Sequence, residues 1–230
     1  MNIYILLIRG QLSIKNIMSR KLLIGGVIAV IVAIILVSQL LIPMFYKKSF
    51  RGGFLDGREA YDFTLLNQYG ETVSLSDFKG KVIILSFIFT TCQDVCPVIG
   101  LGIKEAYNIL SKKGLTDDVV VVLVSVDPER DTPEKMRMWA EKLNVTYFHL
   151  FTGEFSEVSV VWDKYGVYVE KVNVSEGEMP GMEHMGYMVT HTAVIYLIDK
   201  DFRLRIAFFG VPPSWSPQDI ANDVEILVRE

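Results

Sequence analysis

The chain has 230 residues, half of them apolar, with 23 basic and 27 acidic side chains. That is too apolar for a disordered chain and too mixed for a multi-span membrane protein. Four of the bases and none of the acids precede residue 46, so the remainder holds 19 basic and 27 acidic residues, net −8, a sign that argues against nucleic acid as a partner.

Residues 1–21 carry Arg9, Lys15, Arg20 and Lys21 and read as a short cytoplasmic segment. Residues 22–45 contain no charge and only two strongly polar side chains, Ser38 and Gln39. A helix of about 20 apolar residues crosses a bilayer core, so this stretch reads as a single transmembrane anchor. It is longer than the apolar core of a signal peptide and has no convincing small-residue cleavage site. Met18 offers an alternative start, with Ser19-Arg20-Lys21 as an ordinary basic flank. The bases on either side, Lys47, Lys48 and Arg51 on the far one, narrowly favour a domain outside the plasma membrane. Residues 46–60, with Arg51-Gly52-Gly53 and Asp56-Gly57, read as a flexible tether. Residues 61–230 suit one domain with a real core.

Within that domain, residues 63–65 and 73–75 flank Asn67-Gln68-Tyr69-Gly70 as a hairpin. Residues 82–89 and 119–126 are nearly continuous apolar runs, the pattern of strands buried on both faces. Pro97 opens a helix with Ile99, Ile103, Ala106 and Leu110 at helical spacing. Thr132-Pro133-Glu134 starts another, with a capping hydroxyl and proline at the first position. A short strand at 147–150, a helix at 156–165 and a strand at 167–172 follow. Residues 173–190, with Gly177, Pro180, Gly181 and Gly186, read as a long loop. A hairpin at 193–198 and 203–209 and a helix opened by Ser216-Pro217 close the chain. This order is that of a thioredoxin-like α/β domain, a central mixed sheet flanked by helices.

The chemistry gathers on two sulfurs. Cys92 and Cys96 are the only cysteines, which excludes a disulfide framework and a four-thiolate zinc site within one chain. Thr90-Thr91-Cys92-Gln93-Asp94-Val95-Cys96-Pro97 lies between a buried strand and a helix, where orphan N–H groups and the helix dipole favour thiolate. Spacing of i and i+4 puts both sulfurs on one face if the turn is helical. One residue more than in C-x-x-C tilts the pair from disulfide exchange toward metal binding. Of three histidines, His149 reads as a packed strand residue. His191, just before the strand at 193–198, stands where thiol-redox relatives carry a cis-proline, and it can complete a Cys₂His set. Thiolates suit Cu(I), and imidazole also accepts Cu(II). Asp127 ends the second buried strand at the same edge, where it could tune the site. Met182, His184 and Met185 belong to a stretch with four of the nine methionines, readable as an apolar patch or as an auxiliary copper site.

At these residues the chain resembles the Sco/SenC family of copper-binding thioredoxin-like proteins. The resemblance rests on Cys-x-x-x-Cys-Pro after a buried strand, then Val126-Asp127-Pro128-Glu129-Arg130-Asp131-Thr132-Pro133, then a late histidine before a strand. It covers roughly residues 60–230 and implies one copper held by Cys92, Cys96 and His191, with Asp127 nearby. It also implies a membrane-anchored metallochaperone rather than a turnover enzyme. The implied partners are a copper donor and subunit II of a haem–copper terminal oxidase, whose CuA centre it helps assemble. The family often has aspartate before the histidine, where this chain has Thr190. The alternative is an extracytoplasmic thiol–disulfide oxidoreductase that keeps subunit II cysteines reduced through Cys92 and Cys96. A peroxidase would need an arginine beside the reactive cysteine, and the sequence points to none.

Overall fold

Continuous apolar runs and well-capped helices lay out the domain. In chain order it comprises β1 (Gly53–Phe54), β2 (Thr64–Asn67), β3 (Thr72–Ser74), β4 (Val82–Ile88), α1 (Val95–Lys112), β5 (Val119–Ser125), α2 (Pro133–Leu143), β6 (His149–Thr152), α3 (Phe155–Tyr165), β7 (Val169–Asn173), β8 (Tyr187–His191), β9 (Val194–Ile198), β10 (Leu204–Phe209) and α4 (Pro217–Arg229). The computed structural model describes residues 28–37, 49–173 and 187–230. Residues 1–48 and 49–230 form two units. In the first, residues 28–37 are helical, and the rest of the 22–45 run lies outside the described residues. Among the described residues no helix is long and apolar enough to cross a membrane.

The main sheet has eight strands in the order β1-β10-β9-β4-β5-β6-β2-β3. β4, β5 and β6 run parallel, and the others join antiparallel. β4 and β5 are buried at every position and stay in register from Val82↔Val119 to Ile88↔Ser125. Strands covered on both faces need no polar alternation, so the sequence there is almost unbroken Val, Ile and Leu. This is the thioredoxin-like mixed sheet with flanking helices. β7 and β8 form a separate two-stranded ribbon.

The helices follow their signals. Ile99, Ile103, Ala106 and Leu110 of α1 are fully buried. α1 begins at Val95, two residues before Pro97, because proline is tolerated in a first turn whose N–H groups have no helical partners. Cys96 therefore lies on the helix. Thr132 caps α2 by accepting the Lys135 N–H, and Ser216 caps α4 by accepting that of Asp219. Gly100 gives Trp139 room to lie against α1, since a Cβ there would come within 2.8 Å of the indole.

Three stretches differ from expectation. The stretch read as a tether is fastened: Arg51 and Gly52 N–H donate to the buried Asp223 carboxylate at 2.8 to 2.9 Å, and β1 pairs with β10. Gly52 serves close approach there, because a Cβ would meet Ile206 Cγ2 at 2.4 Å. The short strand starts at His149 instead of 147; Tyr147 stays outside, its ring 4.8 Å from that of Tyr107. Residues 187–190, read as loop, are strand, so His191 ends β8 instead of standing alone before β9. The residues between 174 and 186 lie outside the described residues.

At the carboxyl ends of β4 and β5 one buried carboxylate joins the two strands. Asp131 accepts the Thr90 N–H and Oγ1–H at 2.9 and 2.5 Å and the Ser125 Oγ–H at 2.5 Å. Burial raises its pKa above the usual carboxylate range, against the pull of these donors. Asp131→Ala strands three donors while leaving the Thr132 cap of α2 intact. It should lower unfolding stability by about 2–4 kcal/mol, the scale of lost charge-assisted bonds in a buried network. Urea denaturation with an unchanged m value reads this; a midpoint equal to the parent's would remove Asp131 from the frame of the site.

Candidate metal and thiol site

Cys92 follows β4, Asp127 follows the parallel β5, and both sit at the carboxyl edge of the sheet, where open α/β sheets expose their ligand sites. β9 runs antiparallel to β4, so its beginning lies at that same edge, and the Ser86 hydroxyl donates to the Val194 carbonyl at 2.7 Å. The turn from β8 into β9 brings His191 over the cysteines. His191 and Cys92 border a cleft of about 610 Å³ whose wall also includes Phe89, Arg130, Tyr187 and Met188. Cys92 is partly exposed to it and Cys96 is fully buried; both are free thiols.

The two sulfurs differ in character. A hydrogen bond from the Cys96 side chain is the main influence on Cys92, lowering its pKa to about 6 against the opposing effect of burial. The backbone N–H groups of Cys96, Asp94 and Val95 add to it, and that of Cys96 points at Cys92 Sγ from 3.3 Å. These are orphan donors of the first turn of α1, the arrangement that stabilises a thiolate. Cys96 is pushed strongly the other way, by its bond to Cys92, by burial and by the Cys92 charge. At neutral pH the pair is one partly exposed thiolate and one buried thiol.

His191 faces that thiol. Its Nδ1 lies 3.0 Å from the Thr192 carbonyl oxygen, which can only accept, so Nδ1 carries the proton. Nε2 is then bare and lies 3.8 Å from Cys96 Sγ. Burial lowers the ring's pKa from its ordinary value, which keeps it neutral. The Phe89 ring braces it edge-on at 5.8 Å. A backbone carbonyl fixing one nitrogen while the other looks into a site is the usual support of a metal-binding imidazole.

The donor set fits a soft metal ion. Metal–thiolate and metal–imidazole bonds of about 2.3 and 2.0 Å sum to about 4.3 Å, so the 3.8 Å gap from Cys96 to His191 admits one ion on a bent path. The imidazole meets Cys96, and Cys92 joins through its own contact with Cys96. Among the described residues no three Cys, His, Asp or Glu side chains are closed into a ready-made metal site.

The other candidate residues fall elsewhere. His149 packs its ring 4.5 Å from that of Phe78, away from the sulfurs, and burial lowers its pKa. Met182, His184 and Met185 lie outside the described residues; Met188, at the end of the same stretch, lines the cleft. Asp127 is completely buried, but its carboxylate turns to Arg130 Nε, to the Tyr187 hydroxyl at 2.6 Å and to Lys171 at 4.0 Å. Its direct partners are thus the ribbon of β7 and β8 and its own turn. Two residues of the site escaped the sequence reading. Arg130 lies in the cleft wall with Cys92, and its position in the Asp127–Asp131 turn was the available signal. Tyr187 is 60 residues from Asp127 in a stretch read as loop, and nothing in the sequence marked it. The one cis peptide bond among the described residues, Pro212–Pro213, follows β10 and does not precede β9.

In the reduced, metal-free protein, iodoacetamide should label Cys92 with a midpoint near pH 6. The rate should hold above about pH 7 and fall about tenfold per unit below the midpoint, because only thiolate reacts. Cys96 should stay unlabelled until the protein unfolds. A midpoint near the free-thiol value would contradict the assignment of the thiolate. The chain is similar to known proteins in sequence and in fold. A SCO2-like protein of Rickettsia prowazekii is 31% identical over 147 residues, 64% of this chain and 67% of that one. The copper-bound structure of ScoI from Bradyrhizobium japonicum is 31% identical with a TM-score of 0.62, covering 74% of this chain and 99% of that one. The structure of BsSco, a member of the Sco family of cytochrome c oxidase assembly proteins with an identified disulfide switch, is 26% identical with a TM-score of 0.59 over 80% and 99%. The SCO1/SenC family model matches residues 55–229, and the chain belongs to that family.

Proposed function

We propose that this protein is a membrane-anchored copper carrier that holds one copper ion through Cys92, Cys96 and His191. It receives the ion from a donor protein and passes it to subunit II of a haem–copper terminal oxidase during assembly of the CuA centre. Residues 22–45 anchor it in the plasma membrane as a single pass, with the domain on the extracytoplasmic side. The observation that carries this reading is the bare Nε2 of His191 held 3.8 Å from Cys96 Sγ by the bond from Nδ1 to Thr192. Copper bound in a relative 31% identical and the oxidase-assembly role of BsSco's family support it.

The chain's own residues divide the work. Cys92 offers a preformed thiolate at the cleft, so capture needs no deprotonation of the exposed sulfur above about pH 6. Cys96 gives up its proton when it becomes a ligand, the usual coupling of metal binding to proton release. His191 is already neutral and oriented. Two thiolates and an imidazole supply the soft donors that retain Cu(I) and still tolerate Cu(II). Partial exposure of Cys92 leaves one ligand open to exchange with a receiving site, while Cys96 stays buried.

Copper titration of residues 46–230 should give about one ion per chain, with binding abolished in Cys92→Ala and Cys96→Ala. His191→Ala should retain the ion but release it to a chelator at least about tenfold faster. Unchanged retention in the histidine variant would remove His191 from the ligand set.

A second reading, thiol–disulfide exchange, is favoured by the contrast between an exposed thiolate and a buried thiol. Cys92 would attack a partner disulfide, releasing one partner thiolate and forming a mixed disulfide. Cys96, losing its proton, would then attack Cys92 Sγ and release the second partner thiolate, leaving Cys92 and Cys96 oxidised. Cys96→Ala should therefore trap a partner covalently on Cys92 in copper-free cells. Absence of any captured partner, with copper retention intact in the parent, would leave the carrier reading alone.

A further inference from the structure

The ribbon that carries His191 shares no strand pairing with the main sheet, so other contacts must hold it in place. Side chains alternate along a strand, so Tyr187, Val189 and His191 occupy one face of β8. Val189 is buried, and its two neighbours on that face are half-buried. At the His191 end the chain itself holds the ribbon, since β7 follows α3 and β8 runs into β9, and the two strands are closed on each other there: Thr192 N–H donates to the Tyr168 carbonyl at 2.9 Å, and Tyr168 N–H donates to Thr192 Oγ1 at 3.0 Å.

At the other end the ribbon is held by side chains from one turn, residues 127–130. The Tyr187 hydroxyl donates to the buried Asp127 carboxylate at 2.6 Å. The Arg130 guanidinium lies over the Tyr187 ring, 3.9 Å from its centroid, and Nη1 donates to the Tyr187 carbonyl at 3.2 Å. From β7, Lys171 reaches Glu129 at 2.7 Å and lies 5.0 Å from the Tyr187 ring centroid. Both strands therefore reach the same turn, β8 through its first residue, Tyr187, and β7 through its central one, Lys171.

We propose that Tyr187 is a positioning residue, whose bond to Asp127 latches the ribbon so that His191 stays against Cys96 and the approach to Cys92 stays narrow. The part concerning His191 rests on the carrier reading above; the part concerning access to Cys92 does not. Four residues of strand rise about 13 Å, so Tyr187 acts on the site through the ribbon and touches neither sulfur. Its hydroxyl remains a donor, since burial and the Asp127 carboxylate raise its pKa. Arg130 and Lys171 keep Asp127 compensated when the hydroxyl is removed, so Tyr187→Phe loosens the latch without stranding the carboxylate.

The test uses the reduced, metal-free protein and two thiol reagents at Cys92: iodoacetamide and a polymer-linked maleimide too large for the closed cleft. Losing one charge-assisted hydrogen bond should raise the open fraction, and with it the bulky reagent's rate, about tenfold in Tyr187→Phe. The iodoacetamide rate and its pH midpoint should not move, which a general structural defect would not permit. Lys171→Met, removing the ion pair of β7 with Glu129 of the turn, should change the same ratio in the same direction. It carries the test should the tyrosine variant fail to fold. In copper-loaded protein, Tyr187→Phe should also speed Cu(I) withdrawal by a chelator. If the parent holds no Cu(I), the carrier reading fails while the reagent ratio still reads the latch. A ratio unchanged in a folded Tyr187→Phe, or a shift in the iodoacetamide rate or midpoint, overturns the proposal.

Discussion

The carboxylate of Asp131 sits where β4, β5 and the start of α2 meet, and the site is built around that junction. Two parallel strands buried on both faces deliver their last residues to one edge, but burial alone does not fix the loops that follow. Asp131 does so, by taking the N–H and hydroxyl of Thr90 on one side and the hydroxyl of Ser125 on the other. A buried carboxylate is costly to desolvate. Three short hydrogen bonds offset that cost and leave Thr90 and Ser125 with few alternatives. Cys92 stands two residues beyond Thr90, so the position of the reactive sulfur depends on a residue that never touches it.

From this junction the two acids of one motif take separate roles. Asp131 looks back toward the sheet, and Asp127 looks out toward the ribbon. The first fixes the loop that leads to Cys92, and the second binds Tyr187 and Arg130, which line the cleft. Cysteines and histidine come from different elements, Cys92 from the loop after β4, Cys96 from the first turn of α1 and the ring from the end of β8. The asymmetry between the sulfurs follows from this placement. Cys92 collects the helix-terminal N–H groups, while Cys96, the second residue of α1, is sealed in the core.

Much of this was legible in the residues. The β-branched runs announced β4 and β5 because strands covered on both faces need nothing else. Thr132-Pro133 and Ser216-Pro217 announced α2 and α4 because capping chemistry is local. Cys92, Cys96 and His191 stood out because few residue types bind soft metals. What escaped were features that depend on distant partners. β8 was hidden because its alternation covers only five residues beside a glycine- and methionine-rich stretch. The tether reading of 46–60 took glycine as a sign of freedom, whereas Gly52 is there to let Ile206 come close. Asp127 was read at the sheet edge, where it follows β5, but its link to Tyr187 spans 60 residues and leaves no local trace.

The fastening of Arg51 and Gly52 to Asp223 bears on the solubility of the whole domain. β10 would otherwise be an outermost strand with a row of unpaired amides and carbonyls, the kind of margin on which foreign chains assemble. β1 is only two residues long, yet it covers part of that margin and is too brief to extend the sheet further. The segment just before the domain proper thus acts as a selvedge, and a version of the protein trimmed past Phe54 would carry a raw border where the intact chain has a hemmed one.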